Sequence, residues 1–172
     1  MDILVTAGGQ LAWGQRAARC ALGRSGVRSE KREGDGATPA GAFPLRRLLY
    51  RADRLACPAT RLAADRIGER DAWCDAPADP RYNQQIRLPY PASHEHLWRA
   101  DHLYDVVVVL GCNDAPTVPG RGSAVFLHVA RPDYGPTEGC VALALPDLLA
   151  LLEAAGPEDR LVVQPAAAGI AR

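Results

Sequence analysis

Residues 122–143 read GSAVFLHVARPDYGPTEGCVAL, in which two short apolar runs flank a loop rich in proline and glycine. Each run has the length of a β-strand, and the turn residues between them mark a connection. His128 lies near the end of the first run, and Cys140 begins the second. If the runs pair as neighbouring strands, the imidazole and the thiol come together. A thiol beside a base is the arrangement of a cysteine nucleophile, because the thiolate is the reactive species.

The same pair also has an ordinary structural interpretation. A cysteine in an apolar strand is commonly a small buried hydrophobe, and a lone histidine between apolar residues commonly belongs to the core. The spacing alone leaves both interpretations open. Gly139 favours the catalytic one, because a residue without a side chain lets a substrate carbonyl approach the backbone beside the thiol. We therefore expect the amides of Gly139 and Cys140 to form an oxyanion hole.

The remaining pattern predicts a mainly β fold. Residues 104–110 (YDVVVVL) are β-branched and apolar, which is typical of a central strand covered on both faces. We expect this strand to share one sheet with strands at 123–130 and 140–143, where alternation places Ala124, Phe126 and His128 on one face. The clearest helix is Pro146 to Ala155, with a proline in its first turn and a glycine after its end.

Other segments give weaker patterns. Short apolar runs predict further strands at 3–6, 11–13, 19–23 and 43–50. Cys20 alternates with Leu22 and is interpreted as a packing residue. Ser93 is a good N-cap and predicts a second short helix over SHEHLWR. Residues 57–91 carry five prolines and give no strand pattern.

Length and composition limit the possible functions. A chain of 172 residues is expected to form a single domain, over residues 1–164, with a low-complexity tail at 165–172. The formal net charge is zero, so nothing points to nucleic acid or to an anionic membrane surface. No run reaches the ~18 apolar residues of a membrane span. The oligomeric state is left open.

Metal and disulfide frameworks are not expected. The five cysteines are an odd number, and none belongs to a C-x-x-C pair, which argues against a zinc ribbon or a thioredoxin-like site. His94 and His96 are two residues apart, so on a helix they would point in different directions, whereas on a strand they would share a face. No third ligand accompanies them. We predict neither a metal nor an organic cofactor.

The motif TEGC at 137–140, with His128 upstream, resembles the Ser/Thr-His-Gly-Cys signature of the YkuD-type L,D-transpeptidase catalytic domain family. The segment DGATPAGAF at 35–43 is similar to the Thr-Pro-x-Gly-x-Phe block near the start of the same domain. The two blocks span most of the chain. The resemblance implies a β-sandwich or barrel, Cys140 as nucleophile, His128 as base, and a peptidoglycan stem peptide or a related small peptide as substrate.

The motif also departs from the family pattern. Glu138 replaces the usual histidine, Val129 stands where many members have glycine, and Ala142 stands where many carry Arg or Asn. With no charge at Ala142, another cation is expected to contact a substrate carboxylate, and Arg131 is our candidate. Its alternative is a solvent-facing arginine at a strand end. Further candidates for substrate binding are Thr137, Glu138, Ser123 and Asn113.

Two loops have alternative interpretations. Glu138 either faces the site or is an exposed loop residue. In the site it would raise the pKa of Cys140 or bind a cationic group. The charged, glycine-rich segment 25–41 is either a solvated loop or one that contacts substrate.

The leading functional hypothesis is a cysteine acyltransferase of the L,D-transpeptidase type. One alternative is a hydrolase acting on cytoplasmic wall-recycling peptides, and another is a binding domain of the same fold with an inert Cys140. The N-terminal sequence MDILVTAGG does not resemble a secretory signal, which predicts a cytoplasmic location. The family resemblance implies the periplasm or cell envelope instead.

Overall fold

The structure, a computed structural model, describes residues 1–165, and within them there are fourteen strands and one α-helix. The strands are β1 (Asp2–Thr6), β2 (Gln10–Trp13), β3 (Arg16–Ala21), β4 (Val27–Arg28), β5 (Thr38–Pro39), β6 (Gly41–Tyr50), β7 (Ala64–Arg66), β8 (Asp71–Cys74), β9 (Gln85–Arg87), β10 (His94–His96), β11 (Val106–Leu110), β12 (Phe126–Val129), β13 (Val141–Leu143) and β14 (Arg160–Val163). The helix, α1, is Leu145–Ala154.

A closed barrel organises the chain. The main sheet runs in the order β11-β12-β13-β3-β2-β1-β14-β6-β7, and β6 also pairs with β11, which closes the ring. The ten residues of β6 make this possible. Its first residues, from Gly41 to Pro44, pair with β14, and the part from Leu45 to Tyr50 pairs with β11. The mainly β fold and the barrel expected from the sequence are confirmed.

The strand β11 separates two apolar clusters. Val106, Val108 and Leu110 point into a cluster that also contains the buried face of α1, and we call this the helix-side cluster. Val107 and Val109 point to the other face. The cluster there, which we call the site-side cluster, comprises Leu49, Ile67, Trp73, Leu97, Tyr104, Val107, Val109, Ala124, Phe126 and Cys140. All five residues of β11 are buried, so the expectation of a strand covered on both faces is confirmed.

The three strands expected to share a sheet are neighbours in it. The strands β11 and β12 are antiparallel, and β12 and β13 are parallel. The predicted helix is also confirmed, beginning one residue early, at Leu145, with a proline in its first turn and Leu148, Leu151 and Leu152 buried. The one helix within residues 1–165, α1, is too short to cross a membrane. The expected tail at 165–172 lies outside the described residues except for Pro165.

The predicted helix after Ser93 is wrong. Residues His94–His96 form β10, which pairs with β8 in a separate sheet of order β10-β8-β9. Cross-strand bonds to a distant segment override the local capping signal, since the cap offers only about 1 kcal/mol. Segment 57–91, which gave no strand pattern, contains β7, β8 and β9.

Candidate active site

The strands β12 and β13 place the thiol and the imidazole on one face of the sheet. Their parallel register pairs Leu127 with Val141 and His128 with Ala142, so Cys140 lies level with Phe126, two residues from His128. Residues two apart on a strand share a face. From strand spacing and rise, the Cα atoms of Cys140 and His128 are about 8 Å apart, and both residues line one cavity. Within residues 1–165 the two side chains hydrogen-bond to backbone groups and not to each other.

Backbone contacts fix the loop before Cys140. The Thr137 hydroxyl donates to the Cys140 carbonyl at 2.6 Å, and the Gly139 amide donates to the same hydroxyl at 3.1 Å. The Thr137 amide also donates to the carbonyl of Leu22 at 2.9 Å, and the Thr137 carbonyl accepts from the amide of Arg24 at 2.8 Å. The Gly139 amide expected in the oxyanion hole is thus already engaged, and the Cys140 amide stays the predicted donor.

Glycine is required where these loops meet. A Cβ at Gly139, whose φ is +138°, would lie 2.8 Å from the carbonyl oxygen of Ala37. A Cβ at Gly23 would lie 2.4 Å from the carbonyl oxygen of Gly36 and 2.8 Å from the amide nitrogen of Thr38. Both distances are far inside normal contact, so three backbone segments pack directly on one another beside the thiol.

Backbone groups hold the Cys140 thiol in the resting structure. Its Sγ donates to the carbonyl of Ala124 at 3.2 Å and accepts from the amide of Phe126 at 3.3 Å. Burial raises the pKa of the Cys140 thiol to about 12, and the negative charge of Glu95 adds to the rise. The Phe126 amide and the positive charge of Lys31 act in the opposite direction. The resting thiol is therefore protonated at neutral pH.

His128 is buried and neutral. Its Nδ1 lies 2.9 Å from the carbonyl of Val129, and since a carbonyl only accepts, Nδ1 carries the proton and Nε2 has the free lone pair. Burial lowers the pKa of His128 to about 4, although the Val129 carbonyl partly offsets this. The ring also packs edge-on against Tyr104, with centroids 5.2 Å apart. The neutral imidazole therefore carries its acceptor lone pair on Nε2.

Both side chains line a cavity of about 450 Å³ with charge of both signs. The acidic side chains in its wall are Glu33, Asp75, Glu95 and Glu138, and the cationic ones are Lys31, Arg99 and Arg131. Several are already engaged. Glu33 accepts hydrogen bonds from the hydroxyls of Tyr82 and Ser123, and Glu95 accepts one from the Tyr104 hydroxyl at 2.6 Å. The wall of the cavity therefore carries acidic and basic side chains together, with Glu33 and Glu95 already hydrogen-bonded.

Four of the five predicted substrate-binding residues line this cavity: Arg131, Thr137, Glu138 and Ser123. The Thr137 hydroxyl is held by Cys140 and Gly139, and the Ser123 hydroxyl donates to Glu33 at 2.8 Å. Asn113 is not among the lining residues. Its side chain folds back on its own loop, with bonds to Val118 and Gly122.

Glu138 lies at the exposed rim. Its side chain is 78% exposed and pairs with Arg24, with an Nε–Oε2 distance of 2.9 Å. Of the alternatives that the sequence left open, the geometry favours an exposed loop residue over a group buried against the thiol.

Sequence reasoning did not single out Lys31, Glu33, Glu95, Arg99 or Tyr104 as site residues, yet all five line the cavity. The charged segment 25–41 carried the only available signal, and its interpretation as a loop at the site is the one that the structure favours. Nothing in the sequence points to Glu95 as a site residue, because it lies in the segment predicted as a helix. No group of three or more His, Cys, Asp or Glu side chains in residues 1–165 is placed to hold a metal ion.

Of three comparisons with known proteins, one gave a match. A search of curated proteins and a search of solved structures returned no match. Residues 2–163 match the family model described as the L,D-transpeptidase catalytic domain, YkuD. The match covers both the barrel and the cavity with its cysteine and histidine. The chain therefore belongs to the YkuD family of L,D-transpeptidase catalytic domains, whose members act on peptidoglycan peptides.

Proposed function

We propose that this protein is a cysteine-dependent acyltransferase in which Cys140 is the nucleophile and His128 the general base. The observation that carries the proposal is that both side chains lie on one face of adjacent parallel strands and line one cavity. The family supplies the substrate class, a peptidoglycan stem peptide. The donor would be a diaminopimelate-type stem, cleaved at the carbonyl that follows the L-centre.

In the first half-reaction the Cys140 thiol leaves its bond to the Ala124 carbonyl and gives its proton to Nε2 of His128. The sulfur then attacks the donor carbonyl, whose oxygen becomes an oxyanion facing the Cys140 amide. Collapse of this intermediate breaks the peptide bond. The imidazolium of His128 returns the proton to the departing amine of the D-amino acid, and an acyl-enzyme thioester is left.

In the second half-reaction an acceptor amine attacks the thioester while His128 takes its proton. The C–S bond breaks, the new amide forms, and the proton returns to the thiol of Cys140. If water replaces the amine, the product is a carboxylate and the outcome is hydrolysis. Both routes use the same two side chains, so the acceptor alone decides between cross-linking and carboxypeptidase action.

The test is to incubate the purified protein with tetrapeptide-stem muropeptides and identify the products by mass spectrometry. A cross-linked dimer, together with released D-amino acid, supports transpeptidation. A tripeptide stem with no dimer supports the hydrolytic alternative. The Cys140→Ala variant is the negative control. If neither product forms with the wild-type protein, the acyltransferase proposal is wrong and the binding-domain interpretation takes its place.

A further inference from the structure

Lys31 is the only lysine of the chain, and its side chain lies largely out of solvent in the wall of the cavity. Only 10% of the side chain is exposed. Its aliphatic stem packs on Gly122, where an added Cβ would lie 3.0 Å from Cγ. The ammonium then reaches Gly139, where an added Cβ would lie 3.4 Å from Nζ. The cation is therefore placed beside the residue that precedes the nucleophile.

Asp35 anchors this ammonium. The Asp35 carboxylate pairs with Lys31 Nζ and accepts amide bonds from Arg32 at 2.8 Å and Ala37 at 2.9 Å. Desolvation alone would raise the pKa of Asp35, but the bonds from Lys31 and the two amides outweigh it, and the pKa is lowered. Asp35 does not line the cavity, whereas Lys31 does. The pair thus presents its positive member to the site.

The other cavity cations are placed differently. Arg99 pairs with Asp101 at 2.7 Å and lies over the ring of Tyr104, and Arg131 is exposed. Lys31 combines low exposure, an anchoring carboxylate and an ammonium close to Gly139. A charge in a poorly solvated site acts more strongly than the same charge at the surface. Its effect on the thiol has the sign needed for activation, since it lowers the pKa of Cys140 against the rise caused by burial.

We propose that Lys31, held in place by Asp35, is the cation that stabilises the thiolate formed on Cys140 during the reaction. The inference deepens the proposed acyl transfer and rests on it. It accounts for how a buried thiol next to a neutral imidazole can lose its proton to that imidazole. The proton leaves sulfur for Nε2 of His128, and the positive charge of Lys31 offsets the negative charge left on sulfur.

The experiment measures the alkylation rate of Cys140 by iodoacetamide against pH, following the Cys140 peptide by mass spectrometry. The background is Cys57→Ser, because Cys57 is exposed and would also react. Lys31→Met keeps the apolar stem and removes the charge. We expect its profile to move to higher pH, with alkylation slowed about tenfold at a fixed pH, equivalent to one pKa unit.

Asp35→Asn is the matched variant. It removes the carboxylate charge but keeps an oxygen that accepts a hydrogen bond from the ammonium, so Lys31 stays tethered and the profile should stay in place or move to lower pH. A merely structural ion pair would shift both profiles in the same direction, and that outcome overturns the proposal. A wild-type profile for Lys31→Met also overturns it. Arg121→Gln, which removes an exposed cation paired with Glu30, should leave the profile unchanged.

Two further controls keep the outcomes separate. If Lys31→Met does not fold, Asp35→Asn decides alone, and a shift of its profile to higher pH rejects the role of Lys31. Alkylation needs no substrate, so the comparison stands even if muropeptides give no product. Absence of product contradicts the proposed function, whereas unchanged alkylation in an enzyme that forms product contradicts Lys31 alone.

Discussion

Cys20 and Cys140 are both buried, but they lie on opposite faces of the same sheet and have different polar surroundings. Cys20 belongs to the helix-side cluster and Cys140 to the site-side cluster, and they are 4% and 8% exposed. Burial raises the pKa of each thiol to about 12. For Cys20 burial is the sole cause, whereas Cys140 also responds to Glu95, Lys31 and a backbone amide.

The difference shows that burial does not distinguish a packing thiol from a nucleophile. What distinguishes them is the polar surroundings: no hydrogen bond to the Cys20 sulfur is found within residues 1–165, while the Cys140 sulfur has two. Cys140 also faces a cavity that His128 lines with it. The two cysteines form a natural pair for testing the proposed site, because the same substitution can be made at each.

The largest effect is expected from alanine at the two cysteines. Cys140→Ala should lower the rate of acyl transfer by on the order of 10⁴-fold or more, as for loss of a nucleophile elsewhere. Cys20→Ala should keep wild-type activity. The measurement is product formation from a tetrapeptide-stem substrate. Wild-type activity in Cys140→Ser would contradict the assignment, since a serine hydroxyl stays protonated where a thiol can ionise.

Loss of the base should have the next largest effect. His128→Ala is expected to lower the rate of acyl transfer by roughly 100-fold or more, the scale of general base catalysis. Because His128 is buried against Tyr104, His128→Gln should be measured beside it as a variant of closer volume. Circular dichroism checks folding. A folded variant of either kind with wild-type turnover would remove His128 from the mechanism.

His128 should also make stability depend on pH. Its pKa is about 4 in the folded protein against 6.5 for an ordinary histidine, so the unfolded chain binds more protons between these values. The contribution of His128 to the free energy of unfolding is expected to be complete above pH 6.5 and to fall by roughly 3 kcal/mol towards pH 4. Urea unfolding at several pH values measures this. In His128→Gln the free energy of unfolding should fall by about 3 kcal/mol less over the same pH range. If the wild type and the variant show the same pH dependence, this prediction is wrong.

Replacing each cysteine by serine should lower the free energy of unfolding by different amounts in the two clusters. Cys20→Ser buries a hydroxyl in an apolar cluster and should lower the free energy of unfolding by about 1–3 kcal/mol. Cys140→Ser should cost about 1 kcal/mol or less, since the hydroxyl finds the Ala124 carbonyl and the Phe126 amide. Chemical unfolding of both variants gives the difference. Equal losses would mean that the two thiols have equivalent surroundings.

The smallest effect is expected at Glu138. Its exposed pair with Arg24 should contribute about 0.5 kcal/mol or less to stability, so Glu138→Gln should unfold like the wild type. The pH profile of Cys140 alkylation and the Michaelis constant for an amine acceptor should also be unchanged. A shifted profile would place the carboxylate beside the thiol, and a raised constant would make Glu138 an acceptor contact.

The strands that could be predicted are those whose burial is visible in the sequence. The run 106–110 is apolar throughout and forms β11, and the two runs around the site form β12 and β13. The strands β8 and β10 could not be predicted, because their pairing joins segments about twenty residues apart and their sequences alternate only weakly. The strong local signal at Ser93 pointed to the wrong element.

The candidate site divides in the same way. His128 lies in β12 and Cys140 directly precedes the neighbouring strand β13, and both stand out in one continuous stretch of sequence. Lys31 lies between β4 and β5 and Glu95 lies in β10, and only the fold brings both to the same cavity. No spacing rule connects position 31 with position 140, so the charge around the thiol could be found only in three dimensions.

At Gly23 and Gly139 the backbone packs directly on neighbouring backbone, and this affects how a library of all substitutions at each position would be interpreted. Any side chain at Gly23 collides with the carbonyl of Gly36, and any side chain at Gly139 collides with that of Ala37. A selection that reports growth alone would rank Gly23 with Cys140, although it lies far from the thiol in sequence and takes no part in the chemistry. Counting protein abundance beside growth would separate the two classes of position.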